Sequence, residues 1–354
     1  MTADGKRRGP VRVLIADDSD LSRLVLRELL SADPEIEVVG TAASGADAVE
    51  LTLELRPDIV TMDLHMPDLD GIASTQRIMK ERPTPVLIVT SSDFWQRKDD
   101  VFGAFKYGVV DVIEKPSSTE NSRQAQVLIE KVKVLSRVRV SGTIWPRLSQ
   151  APRPQLTVSP PATDRAILAI GASTGGPKAV HQVLAALPQD FDLPIVVAQH
   201  MSASFVDGFA HWLGTNLALK VRVAKPFDRP VPGTVLVAPG GTSMVLDKRG
   251  VVRTTDEPAP QSVQPSVDLL FSSVARAHGA GTIAVVLTGI GKDGQQGMAD
   301  VKEAGGITLI QDEESCVVFG MPGAALAAGV VDEVVPIDRL GERIGELLRL
   351  SARP

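Results

Sequence analysis

The sequence predicts an α/β protein with two doubly wound, mostly parallel sheets. Short apolar runs alternate with amphipathic helical patterns along most of the chain, which is the pattern of successive βαβ units. The chain has 354 residues, 44% of them hydrophobic, which suffices for two packed cores of ordinary size. A stretch with five prolines at 141–161 separates two such series, and we therefore expect one sheet on each side of it.

Charge and composition exclude several kinds of partner. The formal net charge of −6 argues against nucleic acid as the main partner. No apolar run approaches the length of a membrane span, so we expect no membrane insertion. Cys316 is the single cysteine and is typical of a reducing compartment. The polar and basic first ten residues lack the apolar core of a secretion signal, and we expect a cytoplasmic protein.

The first series predicts five strands joined by helices. A helix after the first strand carries an apolar face that we assign to Leu21, Leu24, Val25 and Leu29. A second helix is predicted at 45–55. The predicted strands cover 11–16, 38–42, 57–62, 85–89 and 109–113.

Four strands of the first series end in charged or hydroxyl side chains. Asp17 and Asp18 follow the first strand, Asp63 the third, Thr90 the fourth and Lys115 the fifth. The carboxyl ends of parallel strands form the ligand-binding edge of such sheets. Three carboxylates there would repel one another unless a hard divalent cation, most naturally Mg²⁺, lies among them. A single aspartate would be explained as a turn or helix cap, but the whole set suits an aspartate that accepts a phosphoryl group.

This series resembles the receiver domain of two-component response regulators, from about residue 11 to 118. The resemblance implies a flavodoxin-like sheet of strand order 2-1-3-4-5 with Asp63 as phosphoacceptor and a histidine kinase as phosphodonor. It also implies that Asp17 and Asp18, with Asp63, hold Mg²⁺, that Lys115 contacts the phosphoryl group and that Thr90 turns toward it. The motifs that carry the resemblance are Asp17-Asp18, Asp63 to Gly71, Thr90 and Lys115-Pro116.

Residues 119–163 are predicted to be an interdomain linker. They separate a receiver domain at 10–118 from a second domain at 164–350. An amphipathic helix at 124–138 either packs across both domains or acts as a solvated spacer, and the sequence leaves both open. The apolar positions of that helix are Val127, Leu128, Val132 and Leu135.

The second series predicts another mostly parallel sheet. Its first strand runs into a glycine-rich turn at 171–176, and a helix follows. Further features are strands at 194–198, 235–238, 282–287 and 306–310, a hairpin of 245–247 with 251–253, and helices at 266–277 and 340–350.

Three strand ends of the second series carry a serine, a histidine and an aspartate. Ser173 lies in the glycine-rich turn, and His200 and Asp293 each follow a later strand. On one sheet edge these groups suit nucleophilic acyl transfer, in which the histidine takes the serine proton and the acid orients the ring. The turn alone is equally compatible with a phosphate cradle or a plain capped turn. Weaker candidates for the base are His65, His181, His211 and His278.

The second series resembles the catalytic domain of chemotaxis protein-glutamate methylesterases, and the order receiver, linker, esterase is also theirs. The resemblance implies a Rossmann-like three-layer α/β/α domain with Ser173 as nucleophile, His200 as base and Asp293 as orienting acid, and no cofactor for the ester chemistry. Thr174 would help to position His200, and the backbone N–H of Ile290, where the family commonly has methionine, would serve the oxyanion. The motifs are 171–177, 199–201, 238–240, 287–294, 311–315 and 320–322.

The resemblance implies a phosphorylation-activated hydrolase in chemotaxis adaptation. Its substrates would be glutamate methyl esters, and some glutamines, on the cytoplasmic helices of chemoreceptors. A regulator of the same architecture in another signalling pathway remains open, because the segment 93–107 departs from the usual chemotaxis form. A phosphorylation-gated binding module with a degenerate esterase site is the other alternative.

Overall fold

The chain folds into two compact units, Met1–Arg147 and Leu148–Pro354. Each contains a parallel sheet with helices, which confirms the predicted fold class. No helix among the described residues has the length and apolar character needed to cross a bilayer. The predicted proline-rich connector and most of 93–107 lie outside the described residues. The computed structural model describes 9–91, 102–116, 123–140, 166–188, 191–257 and 263–351.

The first sheet has five parallel strands. They are β1 (Val11–Ala16), β2 (Ile36–Ala42), β3 (Ile59–Met62), β4 (Val86–Thr90) and β5 (Val109–Glu114). Their order is β2-β1-β3-β4-β5, which confirms the order that the resemblance implied. The interior strands β1, β3 and β4 are buried almost throughout, as expected for a sheet covered on both faces.

Three helices of this unit begin at side-chain caps. They are α1 (Asp20–Ser31), α2 (Gly45–Leu55) and α3 (Gly71–Glu81), capped by Ser19, Ser44 and Asp70. Each cap accepts a backbone N–H of the first turn and satisfies a donor that the helix itself leaves unpaired.

The apolar face predicted for α1 is wrong at two positions. Leu21 and Leu24 are exposed, whereas Leu26, Leu29 and Leu30 are buried. In a leucine-rich helix, more than one set of apolar residues can be chosen at spacings of three and four residues, and each set would form an apolar face. The sequence does not distinguish them, and packing against the sheet selects one.

The helical part of the predicted linker is α4 (Arg123–Leu135), which packs on β5 and α1. Its buried residues include Ala125 and Leu128, whereas Val127 is exposed. Lys131 pairs with Asp111 of β5. The helix therefore adds to the first unit, and the domain boundary at residue 118 stays a prediction.

The second sheet has seven parallel strands and an associated hairpin. Its strands are β6 (Ile167–Ala172), β7 (Ile195–Gln199), β8 (Lys220–Val223), β9 (Thr234–Val237), β12 (Thr282–Val286), β13 (Ile307–Gln311) and β14 (Glu333–Val335), and the antiparallel hairpin is β10 (Ser243–Leu246) with β11 (Val252–Thr255). The order is β14-β13-β12-β6-β7-β9-β8. The outermost strands β8 and β14 were not predicted, because short half-exposed edge strands have little apolar signal.

Six α-helices accompany the second sheet within the described residues. They are α5 (Gly176–Ala185), α6 (Ala203–Asn216), α7 (Val267–His278), α8 (Gln295–Glu303), α9 (Met321–Ala327) and α10 (Ile337–Ser351). The predicted cap of α7 is confirmed, since Ser266 Oγ accepts the N–H of Leu269 at 3.2 Å. The central strands β6, β7 and β12 are buried at every position, and the loops that follow them lie at one sheet edge.

Candidate functional sites at two sheet edges

The first candidate site is a cluster of three carboxylates at the carboxyl edge of the first sheet. One ligand atom from each of Asp17, Asp18 and Asp63 lies within 4.8 Å of the others. Asp17 and Asp63 are buried and Asp18 is exposed. The parallel pairing of β1 with β3 sets Ala16 beside Met62, and the aspartates that follow these residues therefore meet.

Lys115 neutralises part of the charge in this cluster. Its Nζ lies 2.7 Å from Asp17 Oδ2 and 2.7 Å from Asp63 Oδ2. Burial alone would lower the pKa of Lys115, but its hydrogen bonds to Asp17 and Asp63 outweigh burial and raise the pKa. Burial raises the pKa of Asp17, and the Lys115 ammonium offsets part of that rise.

The donor set suits a hard cation. Oxygen-only carboxylate clusters are the sites that Mg²⁺ prefers. A buried hydroxyl, Thr90 Oγ1, has no hydrogen-bond partner among the described residues, and a buried polar atom of this kind is costly unless a ligand satisfies it. Thr90 and Lys115 are also joined through their backbones, since Lys115 N–H donates to Thr90 O at 2.9 Å. The five residues predicted for this site lie at the ends of four strands of one sheet.

The second candidate site lies where the strand order of the second sheet reverses. Strand β6 pairs with β7 on one side and β12 on the other. Loops diverge at such a switch point and leave a crevice above the strands. Ser173 follows β6, His200 follows β7, and Asp293 follows β12 by way of a loop. The sequence signal for this site was three residues at the ends of three strands, and the structure makes those strands neighbours.

His200 and Asp293 are in direct contact. His200 Nε2 lies 2.8 Å from Asp293 Oδ2. The His200 side chain is largely buried and that of Asp293 almost completely so. The other ring nitrogen, Nδ1, is consequently the atom of His200 left for a further partner.

Asp293 is held by the amino terminus of α7. Its carboxylate accepts the N–H groups of Val267 at 2.7 Å and Asp268 at 2.9 Å, and the hydroxyl of Ser266 at 3.2 Å. Burial would raise the pKa of Asp293, but the hydrogen bond and charge of His200, with these N–H groups, lower it. The helix terminus adds its own preference for an anion. Asp293 is thus kept ionised by His200 and by the N–H groups of the helix start together.

Ser173 is fixed by its backbone in a tight turn. Its N–H donates to Thr288 O at 3.0 Å, and its carbonyl accepts the Gln199 side chain at 2.8 Å. A Cβ on Gly289 would lie 2.6 Å from the Cβ of Ser173, so only glycine permits this approach. The residue Ser173 is 7% exposed. Among the described residues, no hydrogen bond joins Ser173 Oγ to His200, which is common where substrate completes the alignment.

The two supporting residues lie at the same edge. Thr174 is buried next to Ser173, and its carbonyl accepts the Thr288 hydroxyl at 2.9 Å. Within the described part of the chain, the Ile290 N–H donates to no backbone acceptor. An N–H of this kind, close to the candidate nucleophile, is suited to an oxyanion.

Sequence reasoning missed the residues that brace the site. Gln199 donates to the carbonyls of both Ser173 and His200. Thr288 bonds the turn of Ser173, and its own N–H donates to Gln311 Oε1 at 2.9 Å. Each lies at the end of a strand in the motifs that carried the resemblance, and that position was the available signal. Their pairwise partners could not be read from the sequence.

Comparisons with known proteins give a family for each of the two units. Residues 13–126 match the family described as response regulator receiver domain, and residues 168–344 match the family described as CheB methylesterase. A protein of Geobacter metallireducens named protein-glutamate methylesterase/protein-glutamine glutaminase 4 is 41% identical over 93% of this chain and 96% of its own length. A protein of Anaeromyxobacter dehalogenans with the same name and the number 2 is 42% identical over 96% of this chain and 98% of its own.

A solved structure gives the same assignment for the second unit. The crystal structure of the Thermotoga maritima CheB methylesterase catalytic domain superposes with a TM-score of 0.50 and 37% identity, covering 52% of this chain and all of that one. The alternative of a phosphorylation-gated binding module with a degenerate esterase site is not favoured, because the curated relatives are named as methylesterases along nearly their whole length. The chain is an enzyme of the CheB methylesterase family with a response-regulator receiver domain at its amino-terminal side.

Proposed function

We propose that this enzyme hydrolyses γ-methyl esters of glutamate, and deamidates some glutamines, on the cytoplasmic helices of chemoreceptors, and that phosphorylation of Asp63 activates it. The observation that carries the proposal is the contact of His200 with Asp293 beside Ser173 at the switch point of the second sheet. The names of the relatives support the choice of substrate. The alternative of another signalling pathway uses the same chemistry on a different methylated protein.

The ester chemistry begins with a proton transfer from Ser173 to His200. With Nε2 bonded to Asp293, Nδ1 accepts the proton of Ser173 Oγ as that oxygen attacks the ester carbonyl. The ionised Asp293 stabilises the imidazolium that forms. His200 then protonates the departing methoxide, and methanol leaves an acyl-serine. A water molecule that gives its proton to His200 hydrolyses the acyl-enzyme and restores Ser173.

Charge on the tetrahedral intermediate needs donors that are already oriented. The N–H of Ile290 is the proposed oxyanion donor, and Gly289 allows that loop to approach Ser173 closely. Removal of one such donor in other acyl-transfer enzymes costs about 10²- to 10³-fold in rate. Thr174 is proposed to position His200. Since the donor is a backbone group, isoleucine at 290 serves as well as methionine.

The receiver site is proposed to form an acyl phosphate on Asp63. Mg²⁺ held by Asp17, Asp18 and Asp63 would neutralise charge on the phosphate during transfer from a histidine kinase. Asp63 Oδ2 attacks phosphorus, and the bond between phosphorus and the imidazole nitrogen of the kinase histidine breaks, so that the histidine leaves. Lys115 moves its contact from the carboxylate to the phosphoryl oxygens. Thr90, whose hydroxyl lacks a partner among the described residues, donates to one of these oxygens.

Activation is proposed to act through access of the substrate. In this proposal the unphosphorylated receiver domain, residues 10–118, restricts entry of a receptor helix to the catalytic domain at 164–350. The phosphoryl group adds roughly −1.5 to −2 charge and weakens that restriction. For each ~1.4 kcal/mol by which phosphorylation shifts the balance between restricted and accessible molecules, the fraction of accessible molecules changes up to tenfold. A cytoplasmic location fits these partners and the free thiol of Cys316.

Methanol release from methylated receptor membranes tests the proposal. We expect release by the full chain with Mg²⁺ present, and a rise of about tenfold or more when a small phosphodonor is added. Asp63→Asn should lose the rise, and its matched control Asp58→Asn, which changes an aspartate of the same unit outside the cluster, should keep it. Absence of release under both conditions would contradict the substrate assignment, and release without a phosphodonor effect would contradict the activation.

A further inference from the structure

Asp268 is a buried carboxylate close to the catalytic groups that the proposed mechanism does not use. It lies in the first turn of α7 and is 2% exposed. Its Oδ1 accepts the N–H groups of Gly294 and Gly297, both at 2.8 Å. These two donors belong to the amino terminus of α8. Asp268 therefore caps the amino terminus of the neighbouring helix α8, although it belongs to α7.

Asp293 makes the converse connection. It precedes α8, and its carboxylate accepts N–H groups of Val267 and Asp268 at the start of α7. Each of the two helices thus has its first N–H groups satisfied by a carboxylate from the other. Such reciprocal bonds fix both helix starts relative to one another, because either carboxylate moves only if two charge-assisted hydrogen bonds lengthen.

The loop from Thr288 to Gly294 takes its position from this pair of bonds. It carries Ile290 and Asp293, and it ends at Gly294, whose N–H is shared between Asp268 Oδ1 at 2.8 Å and Asp293 Oδ1 at 3.1 Å. Gly294 has a φ of 97°, a conformation that side chains other than glycine rarely adopt. The direction of the Asp293 carboxylate toward His200 depends on where this loop ends.

We propose that Asp268 is a positioning residue for the ester hydrolysis, which holds the Thr288–Gly294 loop through Gly294 and Gly297 and so aims Asp293 at His200. The inference rests on the proposed function. The second oxygen of Asp268, Oδ2, is buried without a hydrogen-bond partner in the described part of the chain. Burial, with the charge of Asp293, raises the pKa of Asp268 to about 6. A group retained in so unfavourable a setting is more typical of active sites than of packing.

Two substitutions separate the hydrogen bonds of Asp268 from its charge. Asp268→Asn keeps an acceptor oxygen for both glycine N–H groups, whereas Asp268→Ala removes it. In the full chain we expect Asp268→Ala to lower kcat about tenfold or more, with KM for methylated receptor membranes within about twofold. Asp268→Asn should recover most of that loss. The matched control is Asp332→Ala, which removes a carboxylate bonded to Thr308 N–H at 3.0 Å in the same unit.

The pH profile reports the charge of Asp268 separately from its hydrogen bonds. Asp293 lies beside Asp268, and His200 lies beyond Asp293. Loss of a negative charge here makes the imidazolium less favourable. We therefore expect the acid limb of kcat/KM for Asp268→Asn to lie at lower pH than in the unsubstituted enzyme. Asp332→Ala should leave the limb in place and change thermal stability only.

Amide exchange keeps this inference separate from the substrate assignment. Hydrogen exchange at Gly294 and Gly297 should quicken in Asp268→Ala and stay slow in Asp268→Asn, whether or not receptor ester is hydrolysed. Failure of the unsubstituted enzyme to release methanol would contradict the proposed function and leave the exchange result to decide on Asp268. Unchanged kcat and unchanged exchange in Asp268→Ala would overturn the positioning role.

Discussion

Asp63 and Asp293 occupy equivalent places in two different sheets, and the protein treats their charges in opposite ways. Both follow a parallel strand at the carboxyl edge and both are buried. Asp63 Oδ2 faces a lysine ammonium at 2.7 Å and two other carboxylates. Asp293 faces an imidazole and the N–H groups of a helix start. The first carboxylate is balanced by a side chain that can move, and the second by fixed backbone dipoles.

This difference suits the different chemistry proposed for the two groups. An aspartate that accepts a phosphoryl group must exchange its partners when the phosphate arrives, and a flexible lysine with a cation permits that exchange. An aspartate that orients a histidine must not move at all, and preorganised N–H groups hold it without reorganisation. A shared sheet edge therefore does not determine a role, whereas the nature of the counter-charge does.

The largest effect is expected from Ser173→Ala. Loss of the nucleophile should lower methanol release at least about a thousandfold, while phosphorylation of Asp63 continues at its normal rate. Release and incorporation of phosphate from a labelled phosphodonor should be measured on one preparation. Retention of release would show that another group attacks the ester, and that the edge above β6 is not the catalytic one.

Asp63→Asn should abolish phosphorylation and leave basal methanol release in place. The amide cannot form an acyl phosphate, so the rise in methanol release with a phosphodonor, about tenfold or more, should disappear. Basal release should remain within about twofold, because the groups of the second sheet are unchanged. A variant that still responds to the phosphodonor would assign the regulatory phosphate to a different residue. Asp58→Asn again provides the control.

The smallest effect concerns stability and pH. The pKa of Asp268 is raised to about 6 from an ordinary value of 3.8, so the folded protein binds this proton more tightly than the unfolded chain. Its contribution to stability therefore grows as pH falls from about 7 to 4, by at most about 3 kcal/mol. Thermal unfolding at several pH values in this window should show that growth relative to Asp268→Asn. A constant difference between the two proteins would contradict the raised pKa.

Asp293 behaves in the opposite sense, which separates the two carboxylates. Its pKa is lowered, so its contribution is complete above its unfolded pKa near 4 and is lost only as pH falls below that value. Above pH 4, the difference in stability from Asp268→Asn accordingly reports on Asp268, and the two neighbouring acids can be told apart in one series of measurements.

Particular elements indicate how far prediction from the sequence reached. The strands β1 and β6 were predicted because continuous apolar runs before polar ends are strong local signals. The buried face of α1 was assigned wrongly at Leu21 and Leu24, because two stripes fit the same periodicity. The residues Gln199 and Thr288 were not identified as supports, since a glutamine or threonine has no distinctive pattern until its acceptors are known.

The order of residues along the chain determined by itself the two α/β sheets, the strand ends that carry reactive side chains and, through its motifs, the family. These features depend on local periodicity and on residue type, which the chain contains without folding. Tertiary structure alone decided that β6 lies between β7 and β12, which brings three distant loops to one crevice. It alone decided that Asp268 and Asp293 cap each other's helices, because hydrogen bonds between residues far apart in the chain exist only after packing.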